Sequence, residues 1–471
     1  MALIRLSSAG PAAFLRGLSR ILASHTLFDT TMLITNARLV NEGRISEGDL
    51  RIKDQRIDKI APSISAHAGE PVFDAAGRLL LPGMIDAHVH FREPGMEHKA
   101  DFESESAAAV AGGVTAVMDM PNNNPPAVTR TGLAAKYERA KGRMRTNYAF
   151  YFGATNDNLA EIEALQPGET CGLKIFMGCS TGNLHVDDPQ ALDTIFARCP
   201  TLIATHCEDT PMIEANAATA RARYGEDVPF REHPNIRSVE ACYRSTQLAV
   251  GLAKKHGAQL HVPHLTTARE LEFFKPGPVA GKQLTTEACV HHLFLDASRY
   301  DELGAKMKCN PAIKSAADRT ALVQAVCEGR VDTIATDHAP HTRAEKARSY
   351  FKAPSGLPLI QHAVLILFEL IERGELELAT VVERACHAPA IRFKVADRGF
   401  LREGYYADLA LVNPGAQTRV SPDNIRYKCG WSPFEGHTFP ARVDATWVNG
   451  QLAWCDGELS GGAGGQRLDL S

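Results

Sequence analysis

The chain has 471 residues, 44% of them hydrophobic, enough for one large core with a smaller satellite. Lys and Arg total 51 against 55 Asp and Glu, and a net charge of −4 leaves no basic face for nucleic acid. No apolar run reaches membrane-spanning length, and eleven scattered Cys without a C-x-x-C argue against a disulfide framework or thiolate zinc site and for a reduced, cytoplasmic setting.

Residues 1–31 are rich in Ser, Ala, Leu and Arg, with Asp29 as their only acid. This resembles transit-peptide composition, but Met32 opens a strand pattern as a fresh start would, so an N-terminal extension expected to be disordered is the preferred reading. From Met32 to Val40, Gly48 to Ile52 and Arg56 to Ile60, short alternating strands are separated by turn residues. The same signature returns at Ala407 to Val412 and Ala445 to Gly450, which pairs residues 32–83 with 396–455 in one small β-sandwich.

Between them, residues 84–395 alternate short apolar strands with amphipathic helices. The strands are expected at Met84 to His90, Thr115 to Met120, Asn147 to Phe152, Gly172 to Phe176, Leu202 to His206, Gln259 to His264, Leu284 to Cys289 and Thr333 to Thr336. Helices are expected at Glu103 to Ala111, Gly132 to Lys141, Ser238 to His256, Asp318 to Glu328 and Leu357 to Arg373. Eight strand-helix units close a TIM-type (β/α)8 barrel, an α/β fold. The Gly- and Ser-rich residues 456–471 read as a flexible tail.

Barrel active sites collect at the carboxyl ends of the strands. Strand one ends His88-Val89-His90, and alternation along a strand sends both imidazoles to one side. Strand four carries Lys174 in an apolar run, strands five and six end in His206 and His264, and strand eight leads into Asp337. Four His, one Lys and one Asp form an N/O ligand set that suits zinc. A lone strand-end His is more often structural than a ligand; the convergence of six such residues is what carries weight. A cationic lysine is a poor metal ligand, but a neutral amine that adds CO2 becomes a carbamate able to bridge two cations. The plainer alternative for Lys174 is a salt-bridged lysine inside the barrel.

These residues resemble the amidohydrolase superfamily, and within it the dihydroorotase family, in the longer bacterial class with a carbamylated lysine. The resemblance runs from about Met32 to about Gln451, through Pro82 to Gly95, Met120-Pro121-Asn122, Gly172 to Gly178 and Asp337 to His341. It implies that His88, His90 and Asp337 hold the more buried of two zinc ions, His206 and His264 the other, with carbamylated Lys174 between them and a bridging hydroxide as nucleophile. Asp337 is implied to be the catalytic acid and base. Arg92 separates this family from hydantoinases and dihydropyrimidinases, which lack it, and from allantoinases, which usually carry Asn there.

Physically, Arg92 offers a planar fork for a carboxylate, which dihydroorotate has and hydantoin lacks. Its dull alternative is a salt bridge to Glu93 or Glu97. The resemblance also implies that Asn122 and His341 help bind the carboxylate and that Asn310 touches the ring. Asn122 could instead be a turn residue, and His338 and His341 parts of a rigid loop beside Pro340. Pro354 to Pro358 matches the family's substrate loop only loosely. The implied activity is the reversible opening of dihydroorotate in pyrimidine synthesis, on a small-molecule substrate and in a homodimer. Nothing in the sequence supports association with aspartate transcarbamoylase. The competing readings are an allantoinase or hydantoinase, and, from another class, a non-catalytic scaffold relative, disfavoured because all six ligand positions are filled.

Overall fold

The computed structural model describes residues 31–178 and 184–471. The expectation for the first 31 residues therefore lies, Thr31 apart, outside the described residues. Among these, no helix is long and apolar enough to cross a membrane.

The chain opens with β1 (Thr31–Asn41), β2 (Arg44–Lys53), β3 (Arg56–Ala61), β4 (Val72–Asp74) and β5 (Leu79–Pro82). The barrel follows as β6 (Met84–Val89), β7 (Val114–Asp119), β8 (Asn147–Phe150), β9 (Phe152–Gly153), β10 (Leu173–Phe176), β11 (Ile203–His206), β12 (Leu260–Val262), β13 (Leu284–Cys289) and β14 (Thr333–Ala335). Two parallel sheets, β6-β7-β8 and β9 through β14, make up its wall. They are joined at one seam because β8 and β9 are a single stave interrupted at Tyr151. At the other seam the His90 amide donates to the His338 carbonyl at 2.8 Å, closing the barrel. Its strands are buried on both faces, which is why they read as apolar runs without alternation.

The helices lie where the periodicity places them, within two residues, at Phe102–Ala111, Arg130–Ala140, Val239–His256 and Ala316–Glu328. Side-chain caps start them: Asp101, Thr129, Ser238 and Ser315 each accept from a first-turn amide. The helix expected from Leu357 begins only at Ala363, after a 3-10 turn at Ile360–His362. Leu357 is committed elsewhere, its carbonyl accepting from the Ala339 amide at 2.9 Å, and Pro358 disfavours helical backbone in the residue before it.

After the barrel come β15 (Leu409–Asn413), β16 (Thr418–Arg419), β17 (Thr438–Phe439), β18 (Arg442–Val448), β19 (Gln451–Cys455) and β20 (Glu458–Leu459). The two chain ends share one sheet, ordered β20-β19-β18-β15-β5-β1-β2-β3, with β4 beside β1. They meet where β5 runs antiparallel to β15, Leu80 opposite Leu411. The β-sandwich closes over its own apolar cluster, which includes Leu50, Ile52, Leu411 and Trp447.

The tail departs from expectation. Residues 464–470 run along the start of β8: the Gly465 amide donates to the Met144 carbonyl at 3.0 Å and the Leu468 amide to Tyr148 at 2.8 Å. Leu468 and Leu470 join Ile85, Met118 and Tyr151 in the cluster inside the barrel. Gly465 is there for close approach and not for mobility, since a Cβ on it would lie 1.9 Å from the Thr146 carbonyl oxygen.

Candidate active site

At the carboxyl ends of the strands, a narrow cleft is lined by His88, His90, Arg92, Asn122, Lys174, His206, His264, Asn310 and Asp337. These are all the sequence-selected residues but His341. Ser355 and Gly356 complete one wall.

Within the cleft the donor atoms face one another. One oxygen of Asp337 lies 3.3 Å from His88 Nε2 and 3.1 Å from His90 Nε2. His206 Nδ1 and His264 Nε2 face each other at 3.0 Å. Burial drives the His90 imidazole down to about 4, that of His206 below its ordinary value and that of His264 well below it. Burial also pushes the Asp337 carboxyl up, but its contacts with the surrounding His88, His90 and His291 rings outweigh this and hold the group well below the usual carboxylate range. The result is neutral imidazole lone pairs beside a carboxylate, the state in which these groups bind metal.

Lys174 is fully buried, and its Nζ has no hydrogen-bond partner among the described residues. Burial lowers its amine to about 8. A salt-bridged structural lysine would show a carboxylate at the ammonium; an orphaned, easily deprotonated amine facing imidazoles instead fits a group awaiting a carbamate. The donor set therefore fits divalent-metal binding.

Three cleft residues are held by backbone that a sequence pattern cannot show. His264 and Asp337 lie past the ends of β12 and β14 at φ of 42° and 49°, and Arg92 has φ of 66°. Non-glycine residues seldom occupy this left-handed region unless their surroundings enforce it. Asp86 does part of that work: one of its oxygens takes the Thr336 hydroxyl at 2.6 Å, tying the turn that presents Asp337 to β6.

Sequence reasoning missed the carboxylates behind the imidazoles. Glu287, the one acid in the buried strand β13, holds His88 Nδ1 at 2.8 Å. Glu208 holds His206 Nε2 at 3.0 Å and is paired in turn with Arg237. The signal available was an acidic residue inside, or just after, a buried strand. Cys289, His291 and His292 also bring three possible ligand atoms together, but His292 Nε2 is 3.1 Å from the Pro311 carbonyl oxygen and Cys289 Sγ is 3.7 Å from Glu287.

Of the residues selected for substrate contact, Asn122 accepts through Oδ1 from the His90 Nδ1–H at 2.8 Å, which orients that ring. Arg92 is not salt-bridged to its neighbours: Glu93 is taken by Arg139 and Arg143, and Glu97 by Arg139. The guanidinium donates instead to the Pro340 carbonyl at 3.1 Å and lines the cleft. His341 sits behind it, 3.1 Å from Arg92 Nη2, with Lys99 on its Nδ1. His338 is bound to Glu105 at 2.7 Å, a structural pairing.

The model of the amidohydrolase family matches residues 79–453. The chain belongs to that family. Among amidohydrolase relatives, a dihydroorotase from Halobacterium salinarum is 34% identical over 443 residues, 92% of this chain and 99% of that protein. An allantoinase from Bacillus velezensis is 31% identical over 435 residues, 90% of this chain and 94% of its own. Among solved amidohydrolase structures, the L-hydantoinase (dihydropyrimidinase) from Arthrobacter aurescens superposes with a TM-score of 0.87 at 26% identity, covering 93% of this chain and 99% of that one.

Proposed function

We propose that this amidohydrolase is a zinc-dependent dihydroorotase, which opens (S)-dihydroorotate to N-carbamoyl-L-aspartate and closes it again in pyrimidine synthesis. The carrying observation is Arg92: a buried guanidinium on the wall of the donor cluster, with Glu93 and Glu97 already committed to other arginines. A buried cation without a carboxylate partner is costly, and an anionic ring would provide one. Several relatives at 30–34% identity are dihydroorotases, which supports the same reading.

His88, His90, Lys174, His206, His264 and Asp337 would hold two zinc ions, which when bound supply Lewis acidity toward the ring carbonyl and an activated water. The chain's own groups do the rest. Arg92 pairs its planar fork with the substrate carboxylate and orients the ring, with His341 packed behind the guanidinium and Asn122 and Asn310 beside it. Asp337, kept ionised by its imidazoles, takes a proton from the attacking water and returns it to the ring nitrogen as the amide C–N bond breaks. In ring closure the same carboxyl acts as general acid. Lys174 contributes by adding its neutral amine nitrogen to the carbon of CO2 with release of a proton, which makes an anionic bridge out of a side chain that would repel cations.

The allantoinase and hydantoinase relatives favour a second reading, an enzyme of uncharged rings. Ring-opening rates measured side by side on dihydroorotate, allantoin, hydantoin and dihydrouracil separate the two. Dihydroorotate should dominate, and Arg92→Met should damage it selectively by about 100-fold or more in kcat/KM, the scale of a lost charged contact. Preference for an uncharged ring, undiminished in Arg92→Met, would overturn the assignment.

A further inference from the structure

The wall of the cleft opposite the imidazoles is irregular backbone, and two buried lysines hold it. Lys346 Nζ donates to the carbonyls of Lys308, Pro354 and Gly356, each at 3.0 Å. Lys308 Nζ donates to the carbonyls of Tyr350 at 2.7 Å and Ala353 at 2.6 Å. The Gly356 amide returns a bond to the Lys308 carbonyl at 2.9 Å. Neither ammonium has a carboxylate ion-pair partner among the described residues, though both side chains are buried. Burial, with Arg237 near Lys308 and Lys308 near Lys346, draws each down to about 7, but the three carbonyls around Lys346 are satisfied in full only by an ammonium.

A buried cation normally meets an acid, so spending two on backbone carbonyls requires another explanation. The carbonyls all belong to residues 308 and 350–356, and these flank the cleft: Asn310 lies two residues beyond Lys308, and Ser355 and Gly356 line the wall themselves. The segment has no regular structure of its own to fix it. Gly356, at φ of 142°, passes so close to its neighbours that a Cβ would lie 2.4 Å from the Ala339 carbonyl oxygen. The Ser355 carbonyl lies 2.9 Å from His341 Nε2, the nitrogen that also faces Arg92 Nη2, and Lys99 Nζ lies 3.1 Å from Nδ1. The same ring lies against Arg92. The mooring thus reaches the guanidinium through one imidazole.

We infer that Lys308 and Lys346 are positioning residues for substrate: they fasten the 350–356 segment to the 308–310 segment so that the wall carrying Ser355, Gly356 and Asn310 is preformed around the ring. The catalytic consequence rests on the dihydroorotase reading; the mooring itself does not. Preorganised walls act on substrate binding, while the imidazoles and Asp337 lie on other elements.

The test is Lys346→Met and Lys308→Met in the zinc-loaded enzyme, read by steady-state kinetics, zinc content and amide hydrogen exchange. KM for dihydroorotate should rise about tenfold with kcat held within about threefold and zinc unchanged, a loss of about 1.4 kcal/mol of binding. Exchange over 350–357 should quicken while the barrel strands stay protected, and Lys346→Gln, which keeps two donors, should fall between. Unchanged KM with unchanged exchange refutes the inference, as does a fall in kcat and zinc at constant KM. If the methionine variants fail to fold, the wild-type chain still decides: 350–357 amides exchanging at open-loop rates would refute the mooring. A wild type inert toward dihydroorotate would sink the functional reading alone, with the exchange arm still judging the lysines.

Discussion

Lys174 places inside the barrel an amine with no hydrogen-bond partner among the described residues, and Arg92 places a guanidinium on the cleft wall while its neighbouring acids serve other arginines. Each is expensive as pure structure and inexpensive as part of a site. Asp337 is the third such residue, a carboxylate kept ionised by imidazoles in a buried pocket. Replacing it by Asn preserves shape and removes the proton acceptor, so kcat should fall by about 10³-fold or more while circular dichroism and melting stay near wild type. Residual turnover within tenfold of wild type would remove Asp337 from the proton path. The residues that were legible in the sequence were those whose type clashes with their setting: histidines, a lysine and an aspartate at the ends of apolar runs. His341 was selected as a substrate contact and packs behind Arg92, off the cleft wall, because a sequence pattern places a residue on a loop but not its depth.

At the scale of elements, the strands were legible because parallel barrel strands are buried on both faces and read as short apolar runs between helices. What escaped was whatever depends on pairing between distant segments. Leu357 looked helical by composition and is held extended by Ala339. The left-handed backbone at His264 and Asp337 has no sequence signature, and Glu287 could be recognised as a partner of His88 only once β6 and β13 were brought together. Burial raises the Glu287 carboxyl, yet His88 and His261 overcome this and lower it from 4.5 to about 2. Its contribution to stability is therefore full above about 4.5 and is lost as pH falls toward about 2. In metal-free protein, the melting difference between wild type and Glu287→Gln should shrink across that window. In loaded protein, Glu287→Gln should weaken zinc binding about 10- to 100-fold by chelator competition, since His88 loses its orienting carboxylate. A pH-independent melting difference, or unaltered zinc affinity, would show that Glu287 does neither.

Across the whole molecule, the segments before and after the barrel are joined to each other and to it. β5 and β15 knit the ends into one sheet, and the last residues pack into the barrel at the starts of its strands. The glycines at 461, 462, 464 and 465 disguised this segment as a linker, although Leu468 and Leu470 alternate as a buried edge does. Removing residues 464–471 uncovers two leucines worth about 3–5 kcal/mol together and should lower the melting temperature by several degrees. An unshifted melt would mean that the packed tail adds nothing to stability.

We propose that six side chains from the ends of five strands hold a pair of cations, with Lys174 between them. Zinc analysis of wild type and Lys174→Ala, both purified with zinc and bicarbonate, addresses it most directly. Wild type should carry about two zinc ions per chain, as two-metal sites do, and Lys174→Ala about one or fewer. Equal zinc in both proteins, or none in wild type, would contradict the account.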